Sequence, residues 1–393
     1  MRAQNGGKEV TADDDRDHRS GGPRVGLRAR QLAAGRTRYR LLPSIETFPA
    51  STGDLHLLRP GEAGDLVVRD AGADDRAVIA ALQGEGAEFD ELERVAGVTG
   101  DALETKLEAL REAGVLIAED GPRVRLPPAL RRRFDRQLPY FAEWADAGTA
   151  QMRLRDATVL VLGCGGLGTW ALAALATTGV GSFVLVDHDR VELSNLNRQV
   201  LFGADDVGRL KVARAAAWVR RFDPDIRVRS VRQRVESAAD VLALLDGVDV
   251  VVQTADWPPY RLLGWVADAC QRAGVPYVVG GQRPPVLKLG PTFVPGRSAC
   301  FRCQEAALER AYPLYRELSR ARDARPARAT TLGPASGIVG TLIGAEVMHL
   351  LLGRPVATEG RALILDLRTL ESRWEAVEPV RGCPGCNYPG GDG

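Results

Sequence analysis

The stretch that decides the fold is VLVLGCGGLGTW at residues 159–170, where an apolar run leads into a cluster of glycines. This pattern predicts a strand that ends at a tight turn, followed by the start of a helix. Gly163, Gly165 and Gly168 have the spacing G-x-G-x-x-G, and Gly166 adds a further glycine. Glycines let backbone N–H groups at a helix N-terminus approach phosphate oxygens. The stretch therefore predicts a phosphate-binding turn, for a dinucleotide or for another phosphate-bearing ligand.

The sequence around this turn alternates apolar strands with amphipathic helices from about Ala157 onward. The candidate strands are TVLVLG, SFVLVD, IRVRSVR, VDVVVQTAD and VPYVVGG, with helices expected near 167–179, 209–222, 237–246 and 260–273. Such alternation predicts an α/β fold, with a Rossmann-like, mostly parallel sheet covered by helices on both faces. The strands from VLKLGPTFVPG to LILDLRTLESRWEAVE are expected to run antiparallel.

The N-terminal part of the chain has a different organisation. Residues 1–37 are polar and Gly-rich, which predicts a disordered tail. Residues 38–126 contain three short apolar strands, then three helical segments, then a terminal hairpin formed by VLIAED and RVRLPP. This order predicts a small α+β, winged-helix-like domain that precedes the α/β domain at 127–388.

Composition limits the classes of partner. Lys and Arg number 52 against 51 Asp and Glu, so no net charge favours nucleic acid or a membrane surface. No apolar run reaches about 18 residues, and the N-terminus lacks the apolar core of a secretory signal. We therefore expect a cytoplasmic protein whose six cysteines are reduced unless they bind metal.

Polar residues after the second strand and beyond distinguish between the phosphate ligands. Asp187 ends the strand SFVLVD, 19 residues after Gly168, where an acid usually binds ribose hydroxyls. These features alone would favour a dinucleotide dehydrogenase. The segment VELSNLNRQVLF then places Asn195, Arg198 and Gln199 together. A guanidinium there suits a triphosphate, although Arg198 could also be a surface charge.

Two further charged residues also favour a triphosphate ligand. Lys211 opens the next helix and could reach phosphates, although most lysines on helices are simply solvated. Asp256 follows the buried strand in VVVQTADW, at the sheet edge where ligands bind in parallel sheets. A carboxylate there suits Mg²⁺ that bridges phosphates, or it caps the following helix.

The cysteines form two C-x-x-C pairs that are far apart in sequence, CFRC (Cys300, Cys303) and CPGC (Cys383, Cys386). Four thiolates from two such pairs predict a closed tetrahedral Zn²⁺ site with a structural role. A redox role would require a thioredoxin-like context, which the sequence lacks. Cys164 and Cys270 lie in apolar surroundings and are expected to be buried and inert.

These motifs together resemble the ThiF/MoeB/ubiquitin-activating superfamily over residues 131–388. GCGGLG, VDHD, SNLNRQ, DVGRLK, TAD and the two C-x-x-C pairs occur in the family's order, and RFDRQL (133–138) is similar to its R-Y-x-R-Q element. The resemblance implies a homodimer that binds ATP with Mg²⁺, adenylates a C-terminal carboxylate and releases pyrophosphate.

The resemblance also implies roles for individual residues. Arg136 would reach the ATP of the partner subunit, and Arg198 and Lys211 would bind phosphates. Asp256 would hold the magnesium ion. The remaining residues implied in nucleotide binding are Gly163, Gly165, Gly166, Gly168, Asp187, Asp189, Asn195 and Gln199.

The chain departs from thioester-forming and persulfide-forming relatives in one segment. No cysteine lies between the first C-x-x-C pair and the helix near Gly337–Leu352. The segment carries arginines instead, and it is either a solvated loop or a contact for an acidic peptide or its carboxylate. These arginines are Arg316, Arg320, Arg322, Arg325 and Arg328.

The module at 38–126 is similar in element order to the PqqD-like leader-recognition domain of MccB-like ribosomal-peptide maturation enzymes. This likeness implies that a precursor peptide adds as a strand at a sheet edge, near Leu57–Leu58 or Leu66–Val68. A DNA-binding winged helix is the rival, but the third helix, DALETKLEALREAG, is acidic.

The function we expect is ATP-dependent adenylation of a carboxylate on a ribosomally made precursor peptide, without a catalytic cysteine. Two alternatives remain open. One is a non-catalytic leader-peptide-binding partner of an azoline-forming complex, which the intact charged motifs disfavour. The other is adenylation of a ubiquitin-like sulfur carrier protein.

Overall fold

The computed structural model describes residues 37–59, 65–120, 123–325, 330–383 and 385–386. The chain divides into two compact units, with the boundary between Gln151 and Met152. This boundary lies C-terminal to the predicted division after residue 126, which remains a prediction. The predicted tail lies outside the described residues, except that its last residue, Thr37, begins a strand.

Up to residue 120, the first unit contains two small antiparallel sheets and three helices. One sheet has the strand order β5-β1-β6 and the other the order β2-β3-β4. The elements are β1 (Thr37–Leu41), β2 (Glu46–Pro49), β3 (Leu55–Leu58), β4 (Asp65–Val68), α1 (Ala73–Leu82), β5 (Ala87–Glu88), α2 (Phe89–Ala96), α3 (Gly100–Glu112) and β6 (Leu116–Asp120).

The core of this unit follows the sequence pattern. Leu103, Leu107 and Leu110 recur at helical spacing, which predicts an apolar stripe on α3, and all three are buried. They pack with Tyr39 of β1 and Leu57 of β3 in one cluster, which joins the helices to the strands.

Two details of the unit differ from the sequence prediction. The segment RLLPSIETF is two strands, β1 and β2, separated by a turn at Pro43, because proline has no N–H group for a strand ladder. The predicted hairpin is wrong: β6 pairs with β1, with Thr37 opposite Asp120, and the described part of RVRLPP contains no strand.

Short helices follow this sheet. They are α4 (Pro128–Phe134), α5 (Leu138–Ala142) and α6 (Ala147–Asp156), and α6 contains the boundary between the two units. The segment RRRFDRQLPYF (131–141), for which the sequence predicts one connecting helix, is instead divided between two helices, interrupted at 135–137. Pro139 occupies the first turn of α5, where its missing N–H costs nothing.

The second unit is built on an eight-stranded sheet with the order β14-β13-β12-β11-β10-β7-β8-β9. Its strands are β7 (Thr158–Leu162), β8 (Ser182–Val186), β9 (Arg227–Val231), β10 (Val250–Gln253), β11 (Tyr277–Arg283), β12 (Val286–Phe293), β13 (Arg361–Asp366) and β14 (Ser372–Ala376). Its helices are α7 (Gly166–Thr178), α8 (Lys211–Phe222), α9 (Ala238–Leu242), α10 (Pro259–Ala273), α11 (Phe301–Ala311), α12 (Tyr315–Ala324) and α13 (Gly333–Leu351).

The strand directions confirm the predicted α/β class. The neighbours β9, β8, β7, β10 and β11 pair in parallel, whereas β12, β13 and β14 are antiparallel. β8 and β10 flank β7 on opposite sides, so the chain switches direction across the sheet there. Ligands in such folds bind beyond the carboxyl ends of the strands at this switch point.

Helix α13 packs closely on α7. A Cβ atom on Gly340 would lie 2.7 Å from the Leu167 carbonyl oxygen, and one on Gly344 would lie 2.7 Å from the Ala174 Cβ. Within the described chain, α13 is the one helix long and apolar enough to span a membrane, with a mean hydropathy of 1.3, and 56% of that window is buried. Its apolar character matches its position against α7 and β11.

Candidate nucleotide site and metal centre

The glycine turn joins β7 to α7, and its glycines differ in their conformation and in the space around them. Gly163 has a φ of +95°, and a Cβ atom there would lie 2.5 Å from the Ala255 backbone nitrogen. A Cβ on Gly168 would lie 1.9 Å from the Gly163 carbonyl oxygen. At Gly165, by contrast, no described atom lies within 4 Å of such a Cβ. The turn is thus closely packed beneath and open above Gly165, at the N-terminus of α7.

Asp187 holds the glycine turn and the next loop together. One carboxylate oxygen accepts a hydrogen bond from the Cys164 backbone N–H (2.8 Å), and the other accepts one from the Asp189 N–H (2.8 Å). The carboxylate at the end of β8 therefore lies beside the turn, as expected for parallel neighbouring strands.

Lys211 and Asp189 form an ion pair at the same sheet edge. The Lys211 Nζ donates to the Asp189 carboxylate at 2.8 Å, and Lys211 is only 7% exposed. Partial burial raises the pKa of Asp189, but the hydrogen bond and charge of Lys211 outweigh it, so the pKa lies below its ordinary value. The site therefore contains a buried ammonium group, bound to one carboxylate.

The polar cluster after β8 divides into supporting and accessible groups. Asn195 ends a 3₁₀ turn, is 6% exposed, and its Oδ1 accepts from the Glu192 N–H. Gln199 is also buried, and its N–H donates to the Asn195 carbonyl. Arg198 lies with its Cγ and Cδ 3.4 Å from the position of a Cβ on Gly166. Its guanidinium donates to the Ser194 carbonyl at 2.9 Å.

Asp256 lies three residues beyond the end of β10 and is exposed. Residues 254–258 connect β10 to α10 and are called the Asp256 turn here. Because Ala255 contacts Gly163, the Asp256 turn lies against the glycine turn. The alternative role as a cap of α10 is filled by another residue: Asp323 accepts hydrogen bonds from the first turn of that helix.

Three further residues lie around the glycine turn. The Thr254 hydroxyl donates to the Gly163 carbonyl at 2.9 Å. Gln282, near the end of β11, donates to the Ser336 hydroxyl at 2.6 Å, and that hydroxyl is 2.7 Å from the Cβ position on Gly166. Thr254 is the first residue of the TAD motif, whereas sequence motifs could not identify Gln282 and Ser336, because only the fold brings β11 and α13 to the turn.

Arg136 belongs to the first compact unit. Its side chain is 98% exposed, and its guanidinium lies 3.9 Å from the Asp135 carboxylate.

The four cysteines of the two C-x-x-C pairs do come together. Their sulfur atoms all lie within 4.8 Å of one another, and the separations are 3.7 Å for Cys300–Cys383 and for Cys303–Cys386 and 3.9 Å for Cys300–Cys303. A tetrahedral Zn²⁺ with Zn–S bonds of about 2.3 Å places sulfur atoms about 3.8 Å apart. The donor set therefore fits zinc.

Backbone N–H groups approach two sulfur atoms of this cluster. The Val380 N–H donates to the Cys303 sulfur and the Gly385 N–H to the Cys383 sulfur. A Cβ on Gly385 would lie 3.1 Å from the Cys300 sulfur, so the close approach of the chain requires glycine. Hydrogen bonds from backbone N–H groups to cysteine sulfur atoms help to orient those atoms towards a metal ion.

The remaining two cysteines, Cys164 and Cys270, are buried as expected. Burial raises the pKa of Cys270 to about 12 and that of Cys164 well above its usual range. Neither thiol is therefore suited to act as a thiolate nucleophile.

Most of the arginine-rich segment is a helix rather than a loop. Arg316, Arg320 and Arg322 lie on α12, and Arg325 follows its last residue. Arg316 pairs with Glu309, and the Arg322 guanidinium donates to the Tyr260 hydroxyl at 2.7 Å. Arg328 lies outside the described residues.

Comparison with known proteins places this arrangement in a family. The ThiF family model matches residues 134–387. The SAMP-activating enzyme E1 of Haloferax volcanii is 38% identical over 249 residues, which are 62% of this chain and 84% of that protein. The sulfur carrier protein ThiS adenylyltransferase of Escherichia coli K12 is 32% identical over 250 residues, 62% of this chain and 90% of the relative.

Solved structures match a longer part of the chain. MccB of E. coli with ATP has a TM-score of 0.69 and 22% identity, and the match covers 88% of this chain and 99% of MccB. The same enzyme has been solved in complex with N-formylated MccA, with a TM-score of 0.68. At this identity the likeness concerns the fold. With the family match over most of the second unit, it follows that the chain belongs to the ThiF family and is an adenylyltransferase of the ThiF type.

Proposed function

We propose that this enzyme adenylates a carboxylate of a ribosomally made precursor peptide, using ATP and Mg²⁺, and that it does so without a catalytic cysteine. The observation that carries the proposal is the extent of the match to MccB. It covers 88% of the chain, whereas the ThiF family region begins only at residue 134. The first unit therefore has a counterpart in a protein that has been solved with a peptide, MccA.

The first unit also offers a physical means of binding a peptide. In the sheet β2-β3-β4, the outer edge of β4 is open among the described strands. An extended leader peptide could pair there through its backbone. The edge expected at Leu57–Leu58 is excluded, because β3 is the central strand and pairs on both sides. Leu66–Val68 in β4 remains the proposed docking edge.

The second unit supplies the groups for the chemistry. The open face at Gly165 and the N-terminus of α7 would bind phosphate oxygens, with Asp187 and Asp189 toward the ribose side. Asn195 and Gln199 would keep the loop that carries Arg198 in place. Lys211 and Arg198 would stabilise negative charge on the phosphates, and Asp256 would hold Mg²⁺, which supplies additional charge neutralisation.

The reaction is a displacement at the α-phosphorus atom. A substrate carboxylate oxygen forms a bond to phosphorus, and the bond between the α-phosphorus and the bridging oxygen breaks, which releases pyrophosphate. No thiol is needed for this step. Of the six cysteines, four form the proposed zinc site and two are buried with raised pKa values.

The proposed assembly is a cytoplasmic homodimer that acts on neither nucleic acid nor membranes. Arg136, nearly fully exposed, would contribute its guanidinium to the nucleotide of the partner subunit. The zinc site would tie the C-terminal segment to α11 and so have a structural role.

Adenylation of a ubiquitin-like sulfur carrier is the second candidate. It is favoured by the sequence relatives, which include the ThiS adenylyltransferase and the SAMP-activating enzyme. Those two matches cover 62% of the chain and leave most of the first unit without a counterpart, whereas the match to the adenylyltransferase and sulfurtransferase MOCS3 of Bos taurus covers 79%. The peptide proposal explains both units.

Substrate-dependent ATP–pyrophosphate exchange tests the chemistry. Asp256→Ala and Lys211→Ala should each lower the exchange rate by ~10²-fold or more, because each removes a preorganised charge partner of the phosphates. Cys270→Ala, which removes a buried thiol with no proposed role in the reaction, should retain the wild-type rate. Loss of exchange in a stably folded Cys270→Ala variant would contradict cysteine-free catalysis.

The choice of substrate separates the candidate functions. Exchange should be stimulated by a short peptide encoded in a neighbouring reading frame and not by a small β-grasp protein that ends in Gly-Gly. The opposite preference would establish the sulfur-carrier function. An absence of exchange with both, under conditions where ATP binds, would favour a non-catalytic peptide-binding role.

A further inference from the structure

Helix α10 begins directly after the Asp256 turn, and it lacks a cap from its own sequence. Its N-cap residue is Pro258, and no local side chain accepts a hydrogen bond from its first turn. The exposed N–H groups of a helix N-terminus need acceptors, and a carboxylate also interacts favourably with the helix dipole.

The cap comes from a residue more than 60 positions away. Asp323 on α12 accepts a hydrogen bond from the Tyr260 N–H at 3.0 Å through one carboxylate oxygen, and from the Arg261 N–H at 3.2 Å through the other. The Arg261 Nε lies 3.6 Å from the same carboxylate. Asp323 is only 8% exposed, so this carboxylate is held between the two helices.

Most of the other residues of α12 are exposed. Tyr315 and Asp323 are its only buried residues, although all ten of its residues are described. The Tyr315 ring meets the Tyr260 ring edge-on, with centroids 5.8 Å apart, and Arg322 donates to the Tyr260 hydroxyl. These contacts all involve the first turn of α10, so the cap and the ring contact connect α12 to that turn.

The other end of the Asp256 turn is fixed by the sheet. β10 pairs with β7 on one side and β11 on the other, and Ala255 lies against Gly163. The position of the Asp256 carboxylate therefore depends on where the first turn of α10 is held.

We propose that Asp323 is a positioning residue, which caps α10 and thereby holds the Asp256 turn in the arrangement that binds the metal ion. This inference rests on the proposed role of Asp256 in Mg²⁺ binding. It assigns a function to the arginine-rich segment that does not require its arginines to touch substrate: α12 carries the cap.

The magnesium dependence of ATP–pyrophosphate exchange tests this inference. Asp323→Ala should raise the Mg²⁺ concentration for half-maximal exchange at least fivefold, and excess Mg²⁺ should restore most of the rate. Asp323→Asn should lie between wild type and Asp323→Ala, because its amide oxygen can still accept from one N–H group. Glu317→Ala, which removes an exposed carboxylate from the same helix, should match the wild type.

Amide hydrogen exchange gives a second readout on the same variants. Tyr260 and Arg261 should lose protection in Asp323→Ala while the strands of the sheet keep theirs. An unchanged magnesium dependence in Asp323→Asn and Asp323→Ala would overturn the inference, as would an activity loss that is equal at all Mg²⁺ concentrations. If Asp256→Ala itself leaves the magnesium dependence unchanged, the proposed role of Asp256 fails, and the positioning role fails with it. If the magnesium dependence changes in Asp256→Ala but not in the Asp323 variants, only the positioning role of Asp323 is contradicted.

Discussion

At the residue scale, the main electrostatic feature of the candidate site is the ion pair between Lys211 and Asp189. The buried Lys211 ammonium donates to the Asp189 carboxylate at 2.8 Å. Phosphates would therefore have to compete with Asp189 or join it around the same ammonium. The pairing avoids an uncompensated buried charge, which would be costly.

The pH dependence of stability should reveal this pair. The folded-state pKa of Asp189 is lowered, so its contribution is present above the unfolded value of about 3.9 and is lost as the pH falls through the folded value. Thermal melts of Asp189→Asn should show a lower Tm than wild type at pH 7, and the difference should shrink towards pH 3. The exposed Asp205→Asn serves as the control. A difference that stays constant over this range would contradict the pairing.

At the element scale, the order of strands in the first unit decides where a peptide can bind. Edge strands expose unpaired backbone groups, whereas central strands do not. β4 is an edge strand, and Val67 lies between the buried residues Leu66 and Val68, so its side chain faces outward.

A proline in β4 tests this docking edge. Val67→Pro should weaken binding of the precursor peptide about 5- to 30-fold, because one or two backbone hydrogen bonds of ~1 kcal/mol each are lost. Fluorescence anisotropy with a labelled peptide measures the change. Val67→Thr keeps the N–H group and strand propensity and should bind normally. Circular dichroism must show an intact fold, and wild-type affinity in folded Val67→Pro would exclude this edge.

At the scale of the whole molecule, the cysteine cluster joins two distant parts of the chain. Cys300 and Cys303 lie at the start of α11, whereas Cys383 and Cys386 follow the last strand. A closed metal site contributes its binding energy to folding, because the unfolded chain does not hold the ligands together.

Metal analysis and thermal melts test the zinc site. Freshly purified protein should contain about one zinc per chain, and Cys383→Ser should lose the metal and lower the Tm. The KM for ATP should stay close to the wild-type value even though the Tm falls. The reason is that, among the described residues, the cluster does not contact the glycine turn. Protein that is fully folded and free of zinc would contradict this assignment.

Mixed dimers test the role proposed for Arg136. Arg136→Ala and Asp256→Ala homodimers should both be nearly inactive. A mixed dimer of the two should recover about half of the wild-type exchange rate, because one of its sites then has an intact aspartate and an arginine from the other chain. Arg132→Ala, another exposed arginine, should be active by itself. No recovery in the mixed dimer would mean that Arg136 acts within its own subunit or not at all.

The sequence by itself determined the features that local patterns encode. Apolar strands such as TVLVLG alternate with amphipathic helices, and this periodicity specified the parallel sheet and the place of the glycine turn. The order of motifs indicated the family, and the two C-x-x-C spacings indicated which cysteines would meet. Short-range spacing and periodicity are sufficient for these conclusions, because a strand end, a turn or a pair of thiols is fixed by neighbouring residues.

Only the tertiary structure decided which distant elements meet. It placed β3 in the centre of its sheet, paired β6 with β1, and brought Ser336 to Gly166. It also placed Asp323 at the first turn of α10, where no local residue supplies a cap. The physical reason is common to these cases: backbone and carboxylate groups accept any partner of suitable geometry. The identity of that partner depends on how the core packs rather than on the residues adjacent in sequence.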